Sequence, residues 1–340
     1  FDQSTPRTDL SVCTLSAMAM LPSCPMEILK HAFPLPPKLP SGDSPLPADL
    51  IPNLLTLLAR TSAALVGYYH DAESVTVDRK ADRSPVTTAD RSAHAALAQG
   101  LATLTPDVPF LSEESSTEEI RERRDWRICW MVDPLDGTRE FLGRTGEFTI
   151  NVALIVDHVP ILGFIAQPIE NQCYLGMPGS GLWCCAGDDF EQLTELSPSV
   201  TPGKNVRMSA SQRHSPQRVA ALIELLSGSG LPVERVNAGS ALKFFALVDG
   251  RADIYPRSSP CYEWDVAAGD ALVRAAGGQV LTAEGLPMAY NHRDTLLVHY
   301  FVAAAPSGLL WVPLLEGAHK LFKESRDAHA SNVVEGLGNG

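Results

Sequence analysis

Two aspartates stand three residues apart in "WMVDPLDGTREF", residues 130–141, around a proline and directly ahead of a glycine and a threonine. An Asp-Gly pair is a common turn signal, and a tight turn after a buried strand is the plain reading. The other residues ask for more. The run before Asp133 carries no charge, which puts that carboxylate at the end of a buried strand, where open sheets place ligand sites. Pro134 fixes the backbone there. Asp133, the Leu135 carbonyl and Asp136 can then converge on one point, and hard oxygens at that spacing suit Mg²⁺. Gly137 and Thr138 follow as the opening of a turn or helix whose free N–H groups can receive a phosphate. The stretch reads as a cradle for metal and phosphate.

One loop cannot make such a site, so other carboxylates must converge on it. "FLSEESS" ends an apolar approach with Glu113 and Glu114. "YEWDVAAGDALVRAAGG" places Asp265 at the expected N-cap of a small-residue helix closed by Gly277 and Gly278. Taken singly, a solvated loop accounts for the glutamates and an N-cap for Asp265.

The elements that must position these groups fall into two halves of a 340-residue chain with 45% hydrophobic content, enough for a large core. The expected fold class is α/β, an α+β half followed by an α/β half. Residues 50–200 form the first subdomain, expected to bind metal. It opens with helices at "LIPNLLTLLARTSAALVGYYHD" and "DRSAHAALAQGLATL", then strands at "WRICWMVD", "EFTINVALIVD", "PILGFIAQP" and "QCYLGMPGSGLWCC". After a polar break around Ser197–Gly203, residues 201–313 alternate helix and strand: "AALIELLSGSG", "VERVNAG", "SALKFFALVDG", "ADIYPR", "WDVAAGDALVRAAGG" and "QVLTAEG". This second subdomain is expected to bind substrate. Residues 1–49 form a proline-rich extension expected to be disordered, and residues 314–340 a polar, glycine-ended tail.

Charge and cysteine content narrow the function classes. The formal charge of 27 minus 40, or −13, disfavours a nucleic-acid or anionic-membrane surface, so no nucleic-acid partner is expected. The seven cysteines form no C-x-x-C pair, and a reduced, cytoplasmic compartment fits them. No apolar run approaches the roughly 20 residues of a membrane span, so no integral membrane segment is expected; peripheral association stays open. "VCTLSAMAMLPSC" ends in Leu-x-x-Cys at Cys24, but Asp2, Asp9 and the lone Arg7 sit poorly with a lipoprotein-type export signal.

Together, "DPLDGTREF" and the later "YEWDVAAG" resemble the fingerprints of the inositol monophosphatase superfamily of metal-dependent, lithium-sensitive phosphatases. "DGTREF", "SPVTTAD", "LTPDVPFLSEE", "GEFTINVALI", "GSALKF" and "YPRSSPCYEWDVAAG" narrow the resemblance to its bacterial 3'(2'),5'-bisphosphate nucleotidase branch, over Leu50–Val312. The resemblance implies a layered α-β-α-β-α sugar-phosphatase fold and two or three Mg²⁺ ions held by Glu113, Asp133, the Leu135 carbonyl, Asp136 and Asp265. It also implies that Asp90 and Thr138 orient the nucleophilic water, that Glu113 belongs to the catalytic set, and that Glu114 supports the metal ligands from behind.

The substrate implied is a small nucleotide bisphosphate, with sulfur assimilation as the setting. Its reacting phosphate would meet Gly137, Thr138 and Asp265, and its other phosphate Lys243, Arg257 and Arg139, with Ser240 beside ribose or base. Arg139 and Lys243 read equally well as solvated surface residues. One departure lies in "MSASQRHSP", where the family commonly shows Ser-Arg-Ser-His; Ser211–His214 keep the serine and histidine but move the arginine. An inositol or sugar phosphatase is the second reading, and a catalytically silent nucleotide- or metal-binding protein the third. The residues after Thr138 favour the nucleotidase, and no ligand of the metal set is missing. The expected state is a monomer or weak homodimer.

Overall fold

The computed structural model describes residues 35–40, 45–71, 73, 75–79, 85–198, 203–210, 216–228, 230–257, 259–282 and 284–311. Most of the proline-rich extension, Cys24, Ser211–His214 and the polar tail lie outside these residues.

The chain enters the core at α1 (Leu50–His70), with Pro52 in the first turn, where a missing N–H does no harm. A hairpin follows, β1 (Val77–Arg79) and β2 (Pro85–Thr87), leading into α2 (Thr88–Leu104). Next come β3 (Phe110–Ser112), the short α3 (Thr117–Glu122), β4 (Ile128–Asp136), the one-turn α4 (Thr138–Leu142), β5 (Thr149–Val156), β6 (Val159–Gln167), β7 (Gln172–Met177), β8 (Gly181–Ala186) and β9 (Gln192–Glu195). Strands β3 to β9 form a seven-stranded sheet in sequence order, parallel between β3 and β4 and otherwise antiparallel.

The remaining chain supplies β10 (Val206–Ala210), α5 (Pro216–Gly228), β11 (Val233–Asn237), α6 (Leu242–Val248), β12 (Ile254–Arg257), β13 (Cys261–Tyr262), α7 (Ala267–Ala275), β14 (Gln279–Thr282), β15 (Leu297–Val298) and β16 (Phe301–Ala304). A five-stranded sheet has the order β11-β10-β12-β16-β14, and β13 pairs with β15.

Side-chain alternation sorts these elements into layers. On β4, Trp130 and Val132 join the leucines of α1 and α2 in one core cluster, whereas Cys129 and Met131 join Phe244 of α6 and Leu272 of α7 in another. Both faces of β4 and β5 are covered, which is why their sequences run apolar without alternating. The second sheet packs Val280 and Ala303 onto the same α6–α7 layer, and its far face holds Met208 and Ile254 against Val219 and Leu222 of α5. The order is therefore α-β-α-β-α, as expected.

Close approach of α7 to the large sheet needs glycine at Gly163 and Gly176, where an added Cβ would lie 2.6 Å from the Ala268 carbonyl oxygen and 2.7 Å from Leu272 Cα. That contact seats α7, which follows Asp265 in the chain, against β6 and β7.

One expectation needs correction. The helix α1 is 21 residues long, and by length and composition alone it could cross a membrane. Alanine and tyrosine between its leucines keep it apolar beyond what the leucine spacing shows. Leu50, Ile51, Leu54, Leu55, Leu58 and Leu65 are nevertheless buried, packed in the cluster shared with α2 and the large sheet.

Candidate active site

The Asp133–Asp136 segment is a bulge. Asp133 pairs with Asn151 and Asp136 with Thr149, so three steps along β4 face two along β5. Proline cannot donate a ladder hydrogen bond, and the extra residue is absorbed at Pro134–Leu135, which re-aims the flanking carboxylates. The Leu135 N–H donates to Asp133 Oδ1 at 3.0 Å and fixes that side chain. Gly137 then turns at φ 92°, where a Cβ would lie 3.1 Å from the Glu147 carbonyl oxygen and 3.3 Å from Ser240 Cβ. Only glycine fits there, and α4 starts from it.

Glu113, Asp133 and Asp265 each bring a carboxylate oxygen within 4.8 Å of the others. They come from the loop after β3, from β4 and from the 3₁₀ turn Glu263–Asp265. Asp265 is not the N-cap of α7. Val266 holds that position, and the Asp265 carboxylate accepts the Tyr262 N–H at 3.0 Å because the extra 3₁₀ turn precedes the helix. The turn itself is clamped: Glu263, fully buried, accepts the Asn291 N–H at 2.6 Å and the Arg293 guanidinium at 3.0 Å.

Asp136 lines the same cavity but stands outside that close triad. Its Oδ2 accepts the Ser240 hydroxyl at 2.6 Å and faces the Asn151 amide at 3.5 Å. Ser240, at φ 42°, also lies 2.8 Å from the Thr149 hydroxyl, which in turn donates to Asn151 Oδ1 at 3.0 Å. The expected neighbour of ribose or base thus has its hydroxyl turned onto Asp136, tying the loop before α6 to β5. Sequence reading missed Thr149 and Asn151. Their only signal was polarity inside the apolar run "TINVALIV".

Crowding leaves its mark on the acids. Burial first, then the charges of Glu113, Asp136 and Asp265, push the Asp133 carboxyl well above its ordinary range. Burial and then Asp136 raise Asp265 to about 7, against the opposing pull of Arg257. Hard oxygens forced together and destabilised as anions are a donor set that a divalent cation satisfies.

Asp90 is buried at the start of α2 in a reciprocal cap. Its Oδ2 accepts the Thr87 N–H at 2.7 Å and the Thr87 hydroxyl at 2.6 Å, leaving Oδ1 to accept the Thr138 hydroxyl at 3.2 Å. Burial raises its pKa. Glu114 is not among the residues lining the cavity; its charge acts on Asp90 and on His94.

The same cavity, of about 300 Å³, is also lined by three cations: Arg139, Lys243 and Arg257. Lys243 is not a surface residue. It is 4% exposed, donates to the Ser240 carbonyl at 2.5 Å and lies 5.4 Å from the Tyr255 ring centroid. Burial first, and Arg257 second, lower its pKa to about 8. Arg257 Nε donates to the Ser259 carbonyl at 3.3 Å and its Nη1 to the Tyr255 hydroxyl at 3.4 Å. Arg139 is exposed at the rim.

Known proteins resemble the chain over most of its length. The 3'(2'),5'-bisphosphate nucleotidase CysQ of Escherichia coli K12 is 38% identical over 244 residues, 71% of this chain and 94% of that protein. The crystal structure of CysQ from Bacteroides thetaiotaomicron, a bacterial member of the inositol monophosphatase family, is 33% identical. It aligns with a TM-score of 0.64 over 76% of this chain and 97% of that one. The extragenic suppressor protein suhB from Bartonella henselae aligns with a TM-score of 0.62 at 26% identity, over 80% and 98%. The sequence pattern of the inositol monophosphatase family matches residues 49–319, and the chain belongs to that family.

Proposed function

We propose that the chain is a Mg²⁺-dependent 3'(2'),5'-bisphosphate nucleotidase that releases the 3'-phosphate of adenosine 3',5'-bisphosphate, and of its sulfated form, as the names of its CysQ relatives imply. The observation that carries the reading is a single cavity lined both by an acid cluster and by buried Lys243 with Arg257. A substrate with two phosphates satisfies both sets of groups. Glu113, Asp133, Asp136, Asp265 and the Leu135 carbonyl would hold two or three ions.

Bound Mg²⁺ supplies positive charge to the transferring phosphoryl oxygens and lowers the pKa of water. The chain's own residues do the rest. Thr138 donates a hydrogen bond from its hydroxyl to Asp90, so its lone pairs are left to accept from a water and aim it. That water's oxygen bonds to phosphorus as the P–O bond to the ribose 3'-oxygen breaks, and the proton the water loses is balanced by the one the departing oxygen takes up from solvent. Lys243 and Arg257 hold the 5'-phosphate and fix the substrate in line.

Phosphate release from adenosine 3',5'-bisphosphate, its sulfated form, inositol 1-phosphate and fructose 1,6-bisphosphate, measured side by side, tests the reading. A preference for the inositol or sugar substrate overturns it, and turnover of none of the four would leave a silent binding protein.

The 5'-phosphate contact has its own test. Adenosine 3'-monophosphate lacks a charge-assisted contact of about 1.5 to 3 kcal/mol, so its kcat/KM is expected to be roughly ten- to a hundredfold lower. Lys243→Ala or Arg257→Ala shrinks that gap by damaging the bisphosphate reaction. With the Lys243 pKa near 8, the bisphosphate preference also declines as pH rises through about 8. Equal losses on both substrates would assign these residues to the fold or the metal site instead.

Metal binding is readable without turnover. A folded-state Asp265 pKa of about 7, above the ordinary 3.8, means folding favours the protonated acid. That favour is lost as pH rises from about 4 to about 7, leaving the metal-free protein weakest at neutral pH and above. Protons and Mg²⁺ compete for the same oxygens. At fixed Mg²⁺, the rise in Tm is therefore small near pH 5.5 and reaches a plateau above about pH 8. A shift independent of pH speaks against binding at these acids.

A further inference from the structure

The cavity has a third side that neither acids nor cations explain. Tyr262 and Trp264 line it, their rings stacked with centroids 4.7 Å apart and planes 17° apart. Trp264 is 5% exposed, and Tyr262, lying on it, is 37% exposed, among the few large apolar side chains of the described residues left so open. The pair is rigid. Tyr262 belongs to β13, in register with Leu297 of β15, and the next residue, Glu263, donates its N–H to the Leu296 carbonyl at 2.9 Å. The Tyr262 N–H meets Asp265 at 3.0 Å, so the aromatic ledge and the acid cluster share one turn.

We infer that the Tyr262 ring, backed by Trp264, is the stacking platform for the substrate's nucleobase, the part of a nucleoside bisphosphate that the acid cluster and the two buried cations leave unbound. The inference rests on the nucleotidase reading and deepens it. Every base has a π-face to lay on a flat, half-exposed aromatic surface. The backing matters because an exposed tyrosine otherwise loses rotamer freedom when it stacks, and here Trp264 already holds the ring. A base stacked there sits on the rim of the cavity that binds both phosphates. Recognition is of a planar ring and tolerates one base for another, since stacking reads no hydrogen-bond pattern.

The experiment compares adenosine 3',5'-bisphosphate with its baseless analogue, 1,2-dideoxyribose 3,5-bisphosphate, on the full chain with saturating Mg²⁺. Wild-type protein is expected to favour the adenosine form in kcat/KM by about ten- to a hundredfold, mostly through KM. Tyr262→Ala brings that ratio close to one, and Tyr262→Phe and Tyr262→Trp preserve it. Calorimetric titration with adenosine 5'-monophosphate follows the same order of variants. Should Tyr262→Ala lose its native circular dichroism, Tyr262→Leu, which keeps apolar cover over Trp264 without a π-face, is read in its place and also lowers the ratio. A wild-type ratio near one, an unchanged ratio in the alanine or leucine variant, or a phenylalanine variant as impaired as alanine overturns the platform while leaving the nucleotidase intact. Failure of wild-type protein to hydrolyse either bisphosphate instead sinks the nucleotidase reading, and the platform with it.

Discussion

Asp133→Asn and Asp136→Asn are each expected to lower Mg²⁺-dependent phosphate release by at least about a thousandfold, roughly 4 kcal/mol of transition-state stabilisation. The two variants should fail in the same assay for different local reasons. Asp133 is 1% exposed and stands among like charges that already push its carboxyl toward the neutral acid. An amide there keeps the shape and removes the repulsion, so the metal-free variant should match or exceed the wild type in Tm. Asp136 is held by Ser240, and an amide in its place keeps an oxygen able to accept that hydroxyl but loses its negative charge. Far-ultraviolet circular dichroism should stay native in both. The pH-dependent gain in Tm with Mg²⁺ should disappear or shrink sharply in Asp133→Asn. Near-normal turnover in both variants at saturating Mg²⁺ would falsify the metal cradle.

Why these two aspartates were legible from sequence, and their supports were not, follows from what a linear pattern carries. A strand buried on both faces writes itself as an apolar run, so the first charge in "ICWMVD" marks where the covered sheet ends. Proline beside it announces an interrupted ladder. The helices α1 and α2 bury one face each and were equally readable, and the small residues of "WDVAAGDALVRAAGG" read as a helix.

Cross-strand neighbours are written nowhere in the chain. Asn151 faces Asp133 and Thr149 faces Asp136 only because β5 folds back in one register, and that register is fixed by which residues reach the two cores. Ser240 reaches Asp136 across 104 residues of sequence. Lys243 carried a signal that composition alone obscured. It sits in "LKFFALV", a seven-residue helix apolar all round, and a lysine with no polar face to share is buried. The 3₁₀ turn before α7 was hidden because an aspartate just ahead of a helix looks the same whether it caps the helix or stands one residue outside.

Thr138 and Asp90 should behave as one unit. Their side chains meet at 3.2 Å, and a hydroxyl that donates to a buried carboxylate can aim a water only while that donation holds it in place. Thr138→Ala is therefore expected to lower kcat by about a hundredfold or more with little change in KM, since orientation of the nucleophile counts in the transition state and not in substrate binding. Thr138→Ser, which keeps the hydroxyl, should recover most of the loss. Asp90→Asn should produce a similar kcat defect, with one difference. Asp90 also closes the cap of α2 through two contacts from Thr87, so its amide variant is expected to lose about 1 kcal/mol of stability that Thr138→Ala does not. Comparing Tm for the two singles separates the structural role of Asp90 from its part in the water-aiming pair. The double variant decides the matter. If the pair acts together, Thr138→Ala in the Asp90→Asn background costs little more in kcat than either change alone. A double variant whose loss equals the product of the two single losses would mean that threonine and aspartate act independently, and that the hydrogen bond between them aims nothing.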